Sequence, residues 1–230
     1  MNKTFRSYRK PLLAAAALLA LASAPAFAVK PFTADYAASY MGLEGNGRMT
    51  LASAGSDRWS YTLEIHSSIA QLSQNTVFEE RDGQWRPLSG SDASSLLIKK
   101  SRKQATYDWG KGEARWTGDV KADRAGPVQL RAGDLDAMLV NLALARDVAA
   151  GKPLQYRMVD DGRAKQMSYR VAGKENVTVE GRTRQATRVE RSDGDKQLIV
   201  WVVDGLPVPA RILQRKDGKD EMDLKLKSLR

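Results

Sequence analysis

The 230-residue chain is 42% hydrophobic and 28% charged, a balance that excludes an intrinsically disordered chain and a polytopic membrane protein. It has no cysteine and one histidine. Disulfides, thiolate metal sites, cysteine nucleophiles and a lipidated cysteine are therefore excluded, as are zinc sites built on two or three imidazoles, and neither a metal nor a cofactor is expected.

The first 28 residues read as an address. Lys3, Arg6, Arg9 and Lys10 precede an apolar run from Leu12 to Leu21, followed by Ser23, Pro25 and the small-residue pattern Ala26-Phe27-Ala28. This order predicts a secretory signal peptide cleaved after Ala28. The run is ten residues long, half of the roughly 20 that a spanning helix needs. Arg6 and Arg9 are not adjacent, so nothing supports the twin-arginine route. The expected mature protein runs from Val29 to Arg230 as one β-rich domain. It does not span a membrane, and it resides in the periplasm or the medium. Removing four of the 37 basic residues leaves 33 against 27 acidic ones, a net +6. The charge gathers over residues 99–131, with nine basic and four acidic residues. Nucleic acid is not an expected partner outside the cytoplasm. The anions available there are lipid head groups, lipopolysaccharide phosphates and acidic glycans, and a solvated surface is the ordinary alternative.

From Phe32 onward the period is two. Phe32, Ala34, Tyr36, Ala38 and Tyr40 alternate with polar or small residues, as do Trp59, Tyr61, Leu63 and Ile65; each run predicts a strand with one buried face. Gly45-Asn46-Gly47, Gly55-Ser56-Asp57, Asp82-Gly83 and Gly110-Lys111-Gly112 read as turns between strands. Further strands are expected over 105–109, 113–117, 154–159, 167–171, 177–180, 186–191, 198–203, 210–214 and 222–226. Turns are expected at Asp160-Asp161-Gly162, Gly173-Lys174, Gly181, Ser192-Asp193-Gly194-Asp195, Asp204-Gly205 and Asp217-Gly218. That spacing is an antiparallel meander. Leu206-Pro207-Val208-Pro209 cannot be a central strand, and reads as an edge or corner.

One segment breaks the period. Leu135, Met138, Leu139, Leu142 and Ala145 form a helical stripe after Asp134 and before Gly151. This predicts one amphipathic helix over about 135–149, N-capped by Asp134, buried against the sheet or plugging its mouth.

No catalytic residue is assigned. His66 falls on a polar strand face, and Ser67 and Ser68 directly after it do not supply a positioned nucleophile. Glu79-Glu80 sit on opposite faces of a strand, and Asp160-Asp161 belong to a turn, so neither pair makes a glycosidase site. Gly45-Asn46-Gly47 lacks the third glycine and the helix of a dinucleotide fingerprint. Lys99, Lys100, Arg102 and Lys103 form the densest basic cluster. They read either as charges protecting a sheet edge from aggregation or as a contact for an anionic head group or glycan. Tyr36, Tyr40, Trp59, Tyr61, Phe78 and Trp201 are candidates to line an apolar ligand cavity in a half-barrel, with core packing as the alternative.

The opening Phe32-Thr33-Ala34-Asp35-Tyr36, Gly45-Asn46-Gly47, Asp134-Leu135-Asp136, Gly181, and Val200-Trp201-Val202 leading to Leu206-Pro207-Val208-Pro209 follow one another in a familiar order. On these motifs the chain from Phe32 to Leu229 resembles an uncharacterised family of exported bacterial proteins, a domain of unknown function (DUF 3108-like). The resemblance implies an antiparallel β protein with a central helix and supplies no catalytic residues. At the level of architecture it implies a likeness to the half-barrel periplasmic carriers of lipoproteins. The expected fold is mainly β, a strongly curved sheet or incomplete barrel with one central helix. The leading expected function is non-enzymatic periplasmic binding of an apolar ligand or an envelope component. The alternative is an interaction protein of the cell envelope using a sheet edge or basic surface, with an envelope protein as partner; a hydrolase comes third.

Overall fold

The computed structural model describes residues 29–81 and 83–230; the expected signal peptide and its cleavage point after Ala28 lie outside the described residues, as does Asp82. The alternating segments form β1 (Phe32–Tyr40), β2 (Leu43–Ser53), β3 (Arg58–Ser67), β4 (Ala70–Arg81), β5 (Gln84–Leu96), β6 (Lys99–Asp108), β7 (Glu113–Gly118) and β8 (Val128–Gln129). After α1 (Ala137–Ala149) come β9 (Gln155–Asp160), β10 (Arg163–Ser168), β11 (Arg170–Val179), β12 (Arg182–Asp193), β13 (Lys196–Val203), β14 (Arg211–Lys216) and β15 (Lys219–Leu229).

Thirteen strands make one sheet in the order β11-β12-β13-β14-β15-β1-β2-β3-β4-β5-β6-β7-β8, with β9 and β10 as a separate hairpin. Every pairing in the sheet is antiparallel. The one departure from chain order is β15 beside β1, where Tyr36 stands opposite Leu226 and the last strand closes onto the first. The sheet is not closed into a barrel: β11 and β8 are its edges. The expected incomplete barrel with one helix is therefore the observed fold.

The sheet curves around α1, which packs against β4 on one arm, β13 on the other, and the β9 strand. Met138, Leu139, Val140, Leu142, Ala143, Leu144 and Ala145 are all buried. A helix that buries apolar residues this far round its circumference is enclosed rather than laid on a surface, so it is less amphipathic than the stripe predicted. It also starts two residues later than expected. Asp136, not Asp134, is the N-cap, its carboxylate accepting from the Leu139 N–H at 2.8 Å. Asp134 instead holds the preceding turn, accepting from the Arg131 N–H and pairing with Arg157. The helix end follows expectation, with Gly151 at φ +63° after Ala150.

Two expected turns are in fact strand. Gly45-Asn46-Gly47 lies inside β2, and the chain reverses at Met41-Gly42. The glycines are there for close approach: a Cβ on Gly45 would collide with the His66 carbonyl, and one on Gly47 would stand 3.3 Å from the Tyr36 Cβ. Gly173 and Lys174 lie within β11, where the register with β12 shifts between Val171 and Gly173, so the glycine marks a bulge and not a reversal. The Leu206–Pro209 stretch is the expected corner, with Val208 fully buried and the Tyr36 hydroxyl donating to the Pro209 carbonyl at 2.8 Å.

Candidate contact surface

The interior is filled by the chain's own side chains. Of the six candidate cavity residues, Tyr36, Tyr61, Phe78 and Trp201 are buried in the main core. Tyr61 donates to the Met49 sulfur at 3.2 Å and meets Phe32 edge-on at 6.1 Å. Phe78 packs against Trp85 at 5.8 Å. The Trp201 indole N–H donates to Glu175, and the Arg211 guanidinium lies 4.7 Å above its ring. Trp59 is half-buried against the same core. Tyr40 stands apart, exposed at the end of β1.

That end of the sheet carries an apolar rim. In a meander, alternate hairpin turns fall at one end. Three consecutive ones here bear Tyr40, Met41 and Leu43 (β1–β2), Ile69 (β3–β4), and Leu96, Leu97 and Ile98 (β5–β6), and all seven side chains are exposed. Ile98 is 98% exposed, Leu97 69% and Met41 67%. The tips are level. Gly45 pairs with Ser67, so two residues further along Leu43 comes opposite Ile69. The Leu97 N–H donates to the Ile69 carbonyl at 2.9 Å. Neighbouring strands lie about 4.8 Å apart, which makes the rim continuous.

The turn chemistry makes these tips unusual. Met41 (φ +49°) and Leu97 (φ +54°) hold backbone angles that favour Gly, Asn and Asp. At the Asp161-Gly162, Glu180-Gly181 and Asp217-Gly218 turns the residue at the corresponding positive φ is acidic. Only at this rim, among the described residues, does a large apolar side chain take that place. The sequence reading missed Met41, Leu43, Ile69, Leu96, Leu97 and Ile98. The available signal was a reversal carrying Leu96-Leu97-Ile98 with no turn-forming residue.

The basic cluster begins where the rim ends, and β6 divides it between two faces. Lys99 and Lys103 share the face of Ala105 and Tyr107, while Lys100 and Arg102 take the other. Lys103 is held by Asp161 at 2.8 Å. Lys100 lies in a cross-strand row with Ser95, Gln71 and His66. Together with Arg102, Ser73 and Asp119 these residues line an open cleft of about 330 Å³. The fold thus brings His66 to two of the four basic residues. Pairing with β7 starts at Lys103 and Asp119 takes both main-chain groups of Arg102, so the 99–101 stretch of β6 runs past its neighbour. It is therefore a local edge within an otherwise internal strand.

A second pocket lies on the inner face. Gln74, Thr76, Asp92, Lys103, Tyr107 and Asp160 surround a cavity of about 30 Å³ beside Asp136, room for a water or two. The Thr76 hydroxyl donates to Asp136 at 2.6 Å. Burial pushes the Asp136 carboxyl up to about 6, against the lowering effect of the Thr76 and Leu139 hydrogen bonds. Burial first, then the neighbouring Asp136 and Asp92, push Asp160 up to about 7. Among the described residues no group of three or more histidine or acidic side chains is placed to hold a metal ion, and no helix is long and apolar enough to cross a membrane.

A family model described as a protein of unknown function, DUF3108, matches residues 93–225. No curated protein matches the sequence. Among solved structures, the chain is similar to a β-barrel-like protein of the domain of unknown function DUF1849 from Brucella abortus. That match has 14% identity and a TM-score of 0.53, and covers 87% of this chain and 97% of the other; it supports the fold alone. MucB (10% identity, TM-score 0.37) and the MucA/MucB complex of Pseudomonas aeruginosa (12%, 0.39) also match over 87% of this chain. The chain spans about half the length of MucB, 52% and 51% in the two structures.

Proposed function

The chain belongs to the DUF3108 family, proteins of unknown function, and from that premise we propose that it is a non-catalytic binding protein of the bacterial cell envelope that meets an envelope component through its apolar hairpin rim. The observation that carries this is a contrast. The concave side of the sheet is occupied by α1 and by Tyr36, Tyr61 and Phe78, while seven large apolar side chains sit exposed at one end. Exposed apolar side chains in one continuous patch mark contact sites. Of the two binding modes the sequence left open, an outward-facing contact accounts for both halves of the contrast. An internal lipid would have to displace the helix.

Export is part of the proposal and rests on the order of charge, apolar run and Ala26-Phe27-Ala28 in the first 28 residues. The working protein is then a single domain from Val29 in the periplasm. Native mass spectrometry of protein purified from its own compartment tests both points. The expected species begins at Val29 and carries no lipid. A stoichiometric co-purified lipid would return the function to an internal carrier, and a species retaining residues 1–28 would remove the periplasmic assignment.

A further inference from the structure

We infer that the occupant of the apolar rim is an anionic phospholipid bilayer, into which the three hairpin tips insert while Lys99, Lys100 and Arg102 engage the head groups. This rests on the outward-facing contact proposed above and names its partner.

The shape of the rim favours a bilayer. A protein partner is met by a face, with side chains packed among one another. Here the exposed apolar groups are at the ends of three neighbouring hairpins, and Ile98 is almost wholly free of its own protein. Three tips spaced by two strands each, about 10 Å apart, enter a bilayer side by side without any pocket to receive them. Two of their main-chain donors are settled beforehand: the Leu97 N–H is bonded to the Ile69 carbonyl and the Met41 N–H to the Glu221 carbonyl at 2.8 Å. Insertion therefore strands neither of these two donors in an apolar medium.

The charge behind the rim favours an anionic one. Lys99 directly follows the most exposed tip residue, and Lys100 and Arg102 stand further up the same strand, all three exposed. Apolar tips backed by cations at head-group depth are complementary to an anionic surface. The cleft of about 330 Å³ beside them, with Lys100, Arg102, His66, Ser73, Ser95 and Asp119 on its walls, would lie at the level of the head-group phosphates.

The backbone of the tips points the same way. Met41 and Leu97 occupy positive-φ turn positions that other hairpins of this chain fill with Asp or Glu. Replacing them by residues suited to the turn would relieve the backbone, so a structural role does not account for them.

The test uses the purified protein with vesicles of phosphatidylglycerol mixed into phosphatidylcholine, and with phosphatidylcholine alone. Because the chain has no cysteine, Leu97→Cys and Ser56→Cys each accept one environment-sensitive fluorophore, the second at a turn of the opposite end. At low salt the wild type is expected to sediment with the anionic vesicles only, and the label at position 97, not at 56, is expected to shift to the blue. Met41→Asn and Leu97→Asn should each lower binding about tenfold or more, since each removes a large apolar side chain from the contact, with no loss of melting temperature. Replacing Lys99, Lys100 and Arg102 by Gln should lower it about fivefold per charge, and salt should weaken the wild type. A wild type that ignores anionic vesicles, or binds both vesicle types equally, overturns the bilayer inference. So does binding that survives the two Asn substitutions. None of these results touches the lipid-free mass expected above, so the failure of this inference and the failure of the outward-facing contact are separable.

Discussion

The backbone N–H of Leu97 donates to the carbonyl of Ile69 at 2.9 Å, so two apolar hairpin tips are tied together by main chain alone. Their side chains take no part in the bond and remain available to another medium. The same holds one hairpin over, where Met41 is anchored to Glu221 through its backbone and its side chain projects outward. A rim of this kind is fixed in position by the sheet and paid for in turn strain, which makes its stability a direct probe of its role.

Met41→Asn and Leu97→Asn should each leave stability unchanged or raise it by up to about 1 kcal/mol, because a left-handed backbone costs a β-carbon residue about that much and Asn tolerates it best after Gly. Denaturant midpoints decide this. A fall in either variant would show that the side chain supports the fold.

Leu139 is fully buried on a helix enclosed by both arms of the sheet. Leu139→Asp should cost of the order of 4 kcal/mol or more, since it places an unpaired carboxylate in the core, against a total of about 5–15 kcal/mol for a domain of ordinary stability. Circular dichroism should show a large drop in melting temperature; an unchanged melting temperature would mean that α1 is not part of the core.

Gly45→Ala should cost about 1–3 kcal/mol through overpacking, because the added methyl would press on the His66 carbonyl of the neighbouring strand. The turn at Met41-Gly42 lies clear of it, so chain reversal itself should survive, and a wild-type melting temperature would show that β2 and β3 do not approach as closely as described.

This glycine also shows where sequence reasoning succeeds and where it stops. The alternation in Phe32–Tyr40 and Trp59–Ile65 follows from burying one strand face, so strands, their antiparallel order and the single helix were legible. Whether a glycine serves a reversal or a close approach depends on the neighbouring strand, which pattern alone does not reveal; Gly45, Gly47 and Gly173 were misread for that reason. Asp134 and Asp136 are equally good caps locally, and the choice was made by Arg157 claiming the first and Thr76 the second. Tyr36, Tyr61, Phe78 and Trp201 were recognised as inward-facing while Tyr40 is exposed, and only packing shows that α1 fills the space inside the sheet. The rim went unseen because an exposed leucine in a turn looks in sequence like part of a strand. His66 came to lie beside Lys100 only through the register of four strands.

The inner acidic pocket predicts a pH dependence opposite to that of an ordinary salt-bridged carboxylate. In the folded protein Asp160 titrates at about 7 and Asp136 at about 6, each raised from an ordinary value of 3.8 chiefly by burial. Between about pH 4 and 7 the folded state therefore holds protons that the unfolded state has released. Stability from this pair is fully present below the unfolded value and is lost as pH rises through 6 and 7. Asp160→Asn removes one of the two ionisations and relieves Asp136 of a neighbouring charge, while Lys103 keeps its partner in Asp161. The variant should match the wild type near pH 4 and exceed it at pH 8, giving a flatter stability profile across the interval. Denaturant unfolding of both proteins at several pH values measures the difference, in which the exposed carboxylates common to both cancel. Parallel profiles would mean that Asp160 titrates in the folded protein as it does in the unfolded chain and that the pocket is open to water.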